Sequence, residues 1–333
     1  MMDEKIMLLG TLPPPIGGVT VHISRLMGEL KKEGVSFSFV DLRPPKVWSY
    51  GRSFLNVLKC DETIIHYQLN NWKESLILAN VMRLRRKKFI STIHSFPVEY
   101  EKLNIVSKLL IRVADWGISC FVAPSETIKK RLIDAKIKEK KIKVIHTFLP
   151  PLNEELDKEI PEEVNSFIKN KGNRKVILAN ASKLYLNKDR EDVYGLDMCI
   201  EACKELENVK FIFVCPLIDD VKYFEQCLLK IKRYGIIERF LIYRRDVSMV
   251  CLFKAIDIFV RPTVTDSYGI SVAEALYAGI PAIASDVCER AHGTILFRKK
   301  DLKDFKEKIR FSIESSCKYS IETVNYSKEL YEI

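Results

Sequence analysis

The sequence contains no uninterrupted apolar run of the roughly 18 to 20 residues that a membrane-spanning helix needs. Its amino terminus does not show a basic, then apolar, then small-residue pattern, so no secretory signal is expected there. The nine cysteines are scattered without CxxC spacing, which argues against a zinc site or a disulfide framework. We therefore expect a cytoplasmic protein with reduced thiols.

Several signatures of binding proteins are also absent. No GxGxxG loop occurs, which argues against a nucleotide-dependent oxidoreductase. No helix-turn-helix, zinc-finger or aromatic RNA-binding pattern accompanies the basic residues, so no nucleic-acid partner is expected. The acidic pair Asp219-Asp220 falls at a predicted helix start, where carboxylates favour the helix dipole, and no metal site is expected from it.

The composition is typical of a soluble globular protein, with 47% hydrophobic and 29% charged residues. A length of 333 residues allows two domains of ordinary size. An acidic, proline-bearing stretch from Pro150 to Asn173 is interpreted as a linker and a leading helix. We expect an amino-terminal domain over residues 1–155 and a carboxy-terminal domain over residues 170–317.

The basic residues are unevenly distributed. The net charge is +10, and residues 1–150 hold 25 lysines and arginines against 14 aspartates and glutamates, whereas the remainder holds 29 against 30. The excess is concentrated in residues 83–88 and 129–143. An ordinary solvated surface explains this excess of positive charge as well as a ligand-binding surface does. Between the functional interpretations, an anionic membrane surface is favoured over nucleic acid.

Short apolar, β-branched runs recur through both halves and are predicted to be strands separated by helices. The predicted strands of the first half are Lys5–Gly10, Ser36–Val40, Thr63–His66, Phe89–Ile93, Gly117–Ala123 and Ile142–Ile145. A fresh strand, Lys175–Ala179, opens a second unit of the same kind. The fold class is therefore α/β, with two Rossmann-like domains.

The most informative stretch runs from residue 256 to residue 286. Its predicted elements are a strand at Ile256–Val260, a helix at Ser271–Ala278 closed by Gly279, and a strand at Pro281–Ser285. This is a βαβ unit, and its loop Pro262–Gly269 leaves the carboxyl end of a strand. Open α/β sheets bind their ligands at that place.

The side chains and backbone of this loop suit a sugar nucleotide. The amides of Tyr268, Gly269 and Ile270 at a helix start predict a phosphate-binding nest. The carboxylates of Asp266 and Glu274 suit hydroxyl pairs that donate to them. Ser271-x-x-Glu274 is also a capping-box pattern, so a purely structural role for Glu274 stays open.

The segment resembles the donor-site signature of family 4 glycosyltransferases, in which two acids separated by seven residues lead into an EA-x-x-x-G-x-P run. The chain shows this run from Glu274 to Pro281, with Asp266 where a glutamate is usual. The loop containing Gly17 and Gly18 resembles the family's Pro-x-Gly-Gly loop. His94, at a predicted strand's carboxyl edge, matches a histidine of the family that lines the cleft.

The resemblance implies the GT-B architecture, in which two Rossmann-like domains face each other across a cleft. The carboxy-terminal helix, at about residues 318–333, would pack back on the first domain. It further implies a retaining transferase that uses a nucleotide-diphosphate sugar as co-substrate and needs no cofactor or metal. The first domain would receive a saccharide or lipid-linked saccharide acceptor, in bacterial surface-polysaccharide assembly.

The resemblance also assigns roles to residues. Asp266, His94 and Lys183 would be catalytic: Lys183 neutralises the diphosphate, Asp266 orients the transferred sugar, and His94 contacts that sugar or its phosphate. Glu274 would grip the ribose. The family's second diphosphate cation is replaced by Tyr194, so a neighbouring cation must substitute. The candidates on the same loop are Lys188 and Arg190, and an ordinary charged surface loop is the alternative interpretation of these two. From its position alone, Arg244 follows the carboxyl edge of a predicted strand, which suits either a contact with the base or a surface pair with Arg245.

Two alternatives remain open at this point. A GT-B nucleotide-sugar epimerase would share the cleft but would add a base and need no acceptor. A non-enzymatic basic protein would bind polyanions without protection by nucleotide sugars.

Overall fold

The computed structural model describes most of the chain. The described residues are 5–14, 16–43, 57, 59–68, 72–94, 96, 100–315 and 326–331. The chain divides into two compact units, one of residues 1–149 with 324–333 and the other of residues 150–323. Of the helices that the structure describes, none has the length and apolar character needed to cross a bilayer.

The first unit is built on a six-stranded, all-parallel sheet. Its strands are β1 Ile6–Gly10, β2 Phe37–Asp41, β3 Ile64–Tyr67, β4 Lys88–Thr92, β5 Cys120–Ala123 and β6 Ile142–Val144. The strand order is β2-β1-β3-β4-β5-β6, so the direction of winding reverses between β1 and β3. Both faces are covered: Met7 and Leu9 of β1 join one apolar cluster, and Ile6 and Leu8 join another. This double burial explains why the strands are continuous apolar runs in the sequence.

Helices cover the two faces of this sheet. They are α1 Gly18–Lys32, α2 Trp72–Leu84, α3 Ile105–Gly117 and α4 Glu126–Asp134. The helix α3 runs to Gly117, so β5 begins three residues later than the strand predicted there. A short helix from the end of the chain, Tyr326–Tyr331, also belongs to this unit, and its Tyr326 and Leu330 are buried in the cluster that contains Leu26 and Leu30 of α1.

The second unit repeats the architecture. Its strands are β7 Lys175–Asn180, β8 Lys183–Leu184, β9 Val209–Val214, β10 Leu217–Ile218, β11 Phe240–Tyr243, β12 Ile258–Arg261, β13 Ala282–Ser285 and β14 Ile295–Phe297. Six of them form a parallel sheet in the order β11-β9-β7-β12-β13-β14, and β8 pairs separately with β10. The winding reverses between β7 and β12, which marks the switch point of this sheet.

The helices of the second unit follow the strands in chain order. They are α5 Asn153–Leu156, α6 Glu162–Lys169, α7 Leu196–Glu205, α8 Val221–Arg233, α9 Met249–Phe253, α10 Ile270–Tyr277 and α11 Leu302–Glu314; the terminal helix Tyr326–Tyr331 is α12. The predicted βαβ unit is β12-α10-β13. Its helix ends as expected: Gly279 has a φ of 78°, and the amide of Ile280 donates to the carbonyl of Ala275 at 2.8 Å.

The start of α10 differs from the prediction. The helix begins at Ile270, and its N-cap is Gly269 in a left-handed conformation. Ser271 is therefore the second helical residue, and Glu274 lies beyond the first turn. Because a capping box needs the serine at the N-cap, Ser271 and Glu274 do not form one, and the predicted capping-box alternative for Glu274 is wrong.

Candidate active site

The second unit places its candidate site where β7 and β12 end side by side. Val260 pairs with Ala179 in the parallel register, so Arg261 and Asn180 are the next residues on the two strands. The Nη1 of Arg261 donates to the main-chain oxygen and to the Oδ1 of Asn180, both at 3.2 Å. These contacts join the two strand ends at the switch point of the sheet, where open α/β sheets bind ligands.

Asp266 lies in the loop after β12 and is held by two guanidinium groups. Its Oδ2 accepts from the Nε of Arg261 at 3.0 Å and from the Nη1 of Arg290 at 2.8 Å. Its Oδ1 accepts from the amide of Ser267 at 3.0 Å. Burial raises the pKa of Asp266, but the two arginine charges outweigh burial and hold the pKa well below its usual range. The carboxylate is therefore ionised, and the three side chains carry a net charge of about +1.

Arg290 was not singled out from the sequence, yet it organises the loop. Its side chain is only 1% exposed. Besides Asp266, it donates to Thr263 Oγ1 at 3.1 Å, to the carbonyl of Tyr268 at 3.2 Å and to the carbonyl of Ser285 at 3.2 Å. It thus ties the end of β13 to the loop that precedes α10. No local pattern marks this residue, because all of these partners except Ser285 lie 22 to 27 positions away in the sequence.

Gly269 permits the close approach of this arginine to the start of α10. It has a φ of 84°, and a Cβ atom built there would lie 2.5 Å from the Nη1 of Arg290 and 3.3 Å from Asp266 Oδ2. Only glycine fits that position without a shift of its neighbours. The amides of Ile270 and Ser271 lie too near the start of α10 to reach an acceptor one turn back in the helix, and the positive end of the helix dipole lies beside them.

Glu274 and Tyr268 are both buried in this part of the unit. Glu274 is 6% exposed on α10, and Tyr268 is 3% exposed at the end of the loop. Burial raises the pKa of Tyr268 to about 12, so its hydroxyl is a neutral hydrogen-bonding group at physiological pH.

Lys183 and Tyr194 lie on a row of rings and cations. The Nζ of Lys183 donates to Asp219 Oδ2 at 3.0 Å and lies 5.4 Å from the centre of the Tyr185 ring. The rings of Tyr185 and Tyr194 meet edge to face at 6.2 Å. On the far side, the guanidinium carbon of Arg261 lies 5.1 Å from the centre of the Tyr194 ring. Arg261 was not a candidate in the sequence analysis.

The other predicted donor-site cations are placed as follows. Lys188 and Arg190 lie in a turn built by Asn187, whose Oδ1 accepts from the amides of residues 189 and 191. The Nη1 of Arg190 lies 4.0 Å from Asp220, the N-cap of α8. Arg244 follows β11 and its guanidinium carbon lies 5.2 Å from the centre of the Phe224 ring.

In the first unit, Gly17 is the N-cap of α1 and its amide donates to Thr20 Oγ1 at 3.0 Å. A Cβ atom built on Gly17 would have no atom of another described residue within 4 Å, apart from its chain neighbours. Gly18 is the first residue of α1. Both glycines therefore stand at the helix start that follows β1, as the sequence predicted.

His94 follows β4 and is part of a buried cluster of three histidines. Its Nε2 is 3.3 Å from Gln68 Oε1, and its ring meets that of His22 at 5.5 Å. His66 bonds Thr92 Oγ1 at 2.8 Å and the Tyr331 hydroxyl at 2.7 Å. Burial, followed by the neighbouring histidines, lowers the pKa of His94 well below its usual value. His94 is therefore neutral at pH 7 and can act as a hydrogen-bonding group but not as a cation.

His22 was not among the site residues predicted from the sequence. Its Nδ1 donates to the carbonyl of Thr147 at 2.8 Å, and its Nε2 has no hydrogen-bond partner among the described residues. Burial lowers the pKa of His22 to about 4. A signal was present, because His22 shares the buried stripe of α1 with Leu26 and Leu30 at helical spacing.

Two parallel α/β units with ligand-type residues at the strand ends define an α/β protein of the GT-B class. Comparison with known proteins then identifies the family. The model described as "Glycosyl transferases group 1" matches residues 184–315, and the model described as "Glycosyltransferase Family 4" matches residues 39–151. The chain belongs to the group 1, family 4 glycosyltransferases, as its sequence motifs predicted. A comparison with curated protein sequences finds no match.

Solved structures with the same fold cover almost the whole chain. HepE from Anabaena, crystallised with UDP and glucose, shares 17% identity at a TM-score of 0.67 over 94% of this chain and 90% of HepE. A glycosyltransferase from Rickettsia africae shares 16% identity at 0.67 over 93% and 88%. A sucrose-phosphate synthase from Thermosynechococcus elongatus shares 13% identity at 0.64 over 93% and 90%. These likenesses confirm the predicted fold class.

Proposed function

We propose that this glycosyltransferase moves a sugar from a nucleotide-diphosphate sugar to a hydroxyl group, with retention of configuration at the anomeric carbon. One observation carries the proposal. Two arginines, one aspartate and the amino end of α10 converge at the switch point of the second unit, with a net positive charge. A diphosphate is the ligand whose charge and oxygen acceptors suit this site.

The residues of the second unit have distinct roles in the proposed reaction. Lys183 and the amides of Tyr268, Gly269 and Ile270 stabilise the charge that grows on the departing phosphate. Donors placed there stabilise the transition state more than the bound substrate. Glu274 binds the ribose hydroxyls. Lys188, Arg190 and Arg244 remain proposed contacts of the diphosphate and the base.

Asp266 combines a structural role with its proposed catalytic one. Its Oδ2 is shared by two arginines, whereas its Oδ1 takes only the amide of Ser267 among the contacts given above. A carboxylate oxygen can accept more than one hydrogen bond, so Oδ1 retains capacity for a sugar hydroxyl. In the first unit, neutral His94 and the Gly17–Gly18 loop are proposed to contact the transferred sugar or its phosphate.

The proton of the acceptor needs a destination in this scheme. The bond from the anomeric carbon to the diphosphate oxygen breaks, and the acceptor oxygen bonds to the same face of that carbon. The acceptor's proton passes to the departing phosphate oxygen, which becomes more basic as its bond to carbon breaks. No protein base, cofactor or metal takes part in this proposal.

The proposed donor role of Glu274 is tested with Glu274→Gln, which keeps the shape of the buried side chain. We expect a folded protein with a higher donor KM and a lower kcat, because a carboxylate binds a diol more strongly than an amide does. Wild-type kinetics in the folded variant would remove Glu274 from the site. UDP sugars are the first donors to test, because HepE was also crystallised with UDP-glucose.

We further propose that the acceptor is a lipid-linked saccharide used in bacterial surface-polysaccharide synthesis at the inner face of the plasma membrane. The support is the basic excess of the first 150 residues, with its clusters at residues 83–88 and 129–143. Product analysis distinguishes this from the epimerase alternative, in which the donor changes configuration and no acceptor gains a sugar.

A further inference from the structure

The helix α3 exposes an apolar face in the first unit. Ile105, Leu109, Val113 and Trp116, hereafter the α3 stripe, are 77%, 58%, 46% and 50% exposed. Their spacing places them along one side of the helix, while Ser107 and Ile111 are buried on the other. Four large apolar side chains in one row on a single helix form a patch of the kind that marks an interaction site.

The neighbouring helix α2 adds to this surface. Its Ile77 and Leu84 are 53% and 77% exposed. The two helices pack closely, since a Cβ atom on Gly117 of α3 would lie 2.8 Å from the amide nitrogen of Asn80 on α2. The guanidinium carbon of Arg83 lies 4.4 Å from the centre of the Trp116 ring, so the charged end of α2 borders the α3 stripe.

Both basic clusters meet at the Trp116 end of α3. Arg83 opens the run that continues through residues 85–88. From the second cluster, Lys138 Nζ lies 3.2 Å from Asp115 Oδ2, and Lys141 Nζ donates to the carbonyl of Ile118 at 3.0 Å. The two clusters, about fifty residues apart in the sequence, therefore flank one apolar row.

We infer that the α3 stripe and its basic border dock on an anionic lipid bilayer, an inference that rests on the membrane-bound acceptor of the proposed function. Apolar side chains enter the boundary between head groups and acyl chains, and the lysines and arginines bind anionic head groups. Charge favours lipid over a second copy of the chain. A twofold dimer through this face would place the same basic cluster against itself.

The test is flotation of the full chain with vesicles of phosphatidylcholine alone or with 30% phosphatidylglycerol, a mixture on the order of physiological anionic content. The wild-type chain is expected to float with the anionic vesicles only. The variant Leu109→Ser/Trp116→Ser is expected to lose about tenfold or more in partitioning, because two large apolar side chains no longer leave water. The matched control is Leu229→Ser/Phe311→Ser, at exposed apolar positions of the second unit, and it is expected to float as the wild type does.

Three results would overturn this inference. They are a wild-type chain that stays in solution, a stripe variant that floats normally, and a wild-type dimer in solution that the stripe variant converts to a monomer. Binding of UDP-, GDP-, ADP- and dTDP-sugars is measured on the same samples without vesicles. A wild-type chain that binds a nucleotide sugar but does not float rejects the docking surface alone, whereas a wild-type chain that binds no nucleotide sugar rejects the proposed function.

A separate observation concerns the missing second cation at Tyr194. Arg261 stacks on that ring, stands at the switch point, and has a side chain only 13% exposed. Its Nε donates to Asp266 and its Nη1 donates to Asn180, whereas its Nη2 makes no hydrogen bond to any of the described residues. Since Arg290 also neutralises Asp266, the charge of Arg261 is not cancelled within the cluster.

We propose that Arg261 supplies the diphosphate cation that Tyr194 cannot, again on the basis of the proposed function. The guanidinium carbon lies 5.1 Å from the centre of the Tyr194 ring, within the range of a cation–π contact. Asn180 and Asp266 fix its direction, and Nη2 remains to donate to a phosphate oxygen. The site then has a lysine on β8 and an arginine on β12, with the aromatic pair Tyr185 and Tyr194 between them.

The test combines loss with rescue. Arg261→Gln is expected to lower kcat about 100- to 1,000-fold, the effect of removing one donor from a developing anion. Arg261→Lys, which keeps the charge, is expected to lose less. Adding Tyr194→Lys to the Arg261→Gln variant returns a cation to the neighbouring position and is expected to recover at least about tenfold of kcat. The control Arg298→Gln, at a 74% exposed side chain, is expected to match the wild type.

The proposal is wrong if folded Arg261→Gln retains full kcat, if Arg261→Lys loses as much kcat as Arg261→Gln does, or if Tyr194→Lys gives no recovery in a variant whose melting temperature equals that of the wild type. It is also wrong if Lys188→Gln or Arg190→Gln, rather than Arg261→Gln, causes the hundredfold loss. Absence of transfer by the wild-type chain would instead reject the proposed function.

Discussion

Asp266 is a buried carboxylate whose two arginine partners make it costly to neutralise. Removing one partner of a buried ionic group leaves uncompensated charge, typically at a cost of about 3–5 kcal/mol. We therefore expect Asp266→Asn, which leaves Arg261 and Arg290 together without an anion, to destabilise the second unit by about that amount. Denaturant unfolding of the two proteins measures it, and a difference under about 1 kcal/mol would contradict the ionic role.

The pKa of Asp266 sets the sign of its contribution with pH. Its pKa in the folded chain lies below the ordinary value of 3.8, so its stabilising effect is fully present above that pH. The effect declines only as the pH falls below the ordinary value towards the depressed one. The Asp266→Asn variant is expected to lack this loss of stability at acidic pH, because it has no carboxylate at this position to protonate.

Gly269 can be tested against a glycine of similar conformation. Gly269 and Gly279 have φ values of 84° and 78°, but only Gly269 has close neighbours at the Cβ position. Gly279→Ala is expected to cost about 1–2 kcal/mol for the left-handed backbone alone. Gly269→Ala is expected to cost roughly 1–3 kcal/mol more because of the contact with Arg290. Equal melting temperatures for the two variants would contradict the packing role of Arg290.

At the scale of single elements, α10 shows how a helix start can be shifted from its sequence signal. Ser271 and Glu274 have capping-box spacing, yet the helix begins one residue before Ser271. The carbonyl of Tyr268, just before the left-handed Gly269, accepts from Arg290, which lies 22 positions further along the chain. Local pattern cannot reveal such a contact, because it depends on where β13 and the following loop lie.

The corrected start of α10 gives a comparison of two serines. Ser125 is the N-cap of α4 and accepts from the amide of Ile128 at 3.4 Å, whereas Ser271 lies within its helix. Ser125→Ala is expected to cost about 1 kcal/mol, the usual contribution of a cap. Ser271→Ala is expected to cost less than Ser125→Ala does, because Ser271 does not stand at the N-cap of its helix. A larger loss for Ser271→Ala would restore the capping interpretation.

Most of the elements themselves were predictable. The β12-α10-β13 unit follows from apolar runs bounded by glycine and proline, and both sheets follow from strands too apolar for an exposed face. The site was predictable only in part. Asp266, Gly269 and Lys183 were predicted because they stand in a motif. Arg261, Arg290 and His22 belong to no such motif, and the fold brings each of them to at least one partner that lies 24 or more positions away.

At the scale of the whole molecule, the first unit buries three neutral histidines. Burial lowers the pKa of His22 to about 4 and that of His66 to about 3, and the pKa of His94 is also well below its ordinary value of 6.5. The unfolded chain therefore binds more protons between about pH 6.5 and pH 4, so stability is fully present above that range and falls with the pH through it.

This predicts an acid-labile first unit. Each of the three histidines lowers the free energy of unfolding by up to about 1.4 kcal/mol per pH unit in that range. Thermal unfolding at pH 7.5, 6 and 5, buffers chosen about the ordinary histidine pKa, measures the slope. We expect His22→Gln to reduce it, and an unchanged slope would contradict the neutral state of His22.

The central claim is that the second unit binds the diphosphate of a nucleotide sugar. Isothermal titration of the wild-type chain and of Arg261→Gln with UDP-, GDP-, ADP- and dTDP-sugars tests it most directly. We expect at least one of these donors to bind the wild-type chain and to bind the variant about tenfold or more weakly, since a charge-assisted phosphate contact is lost. Failure of every donor to bind the folded wild-type chain would contradict it.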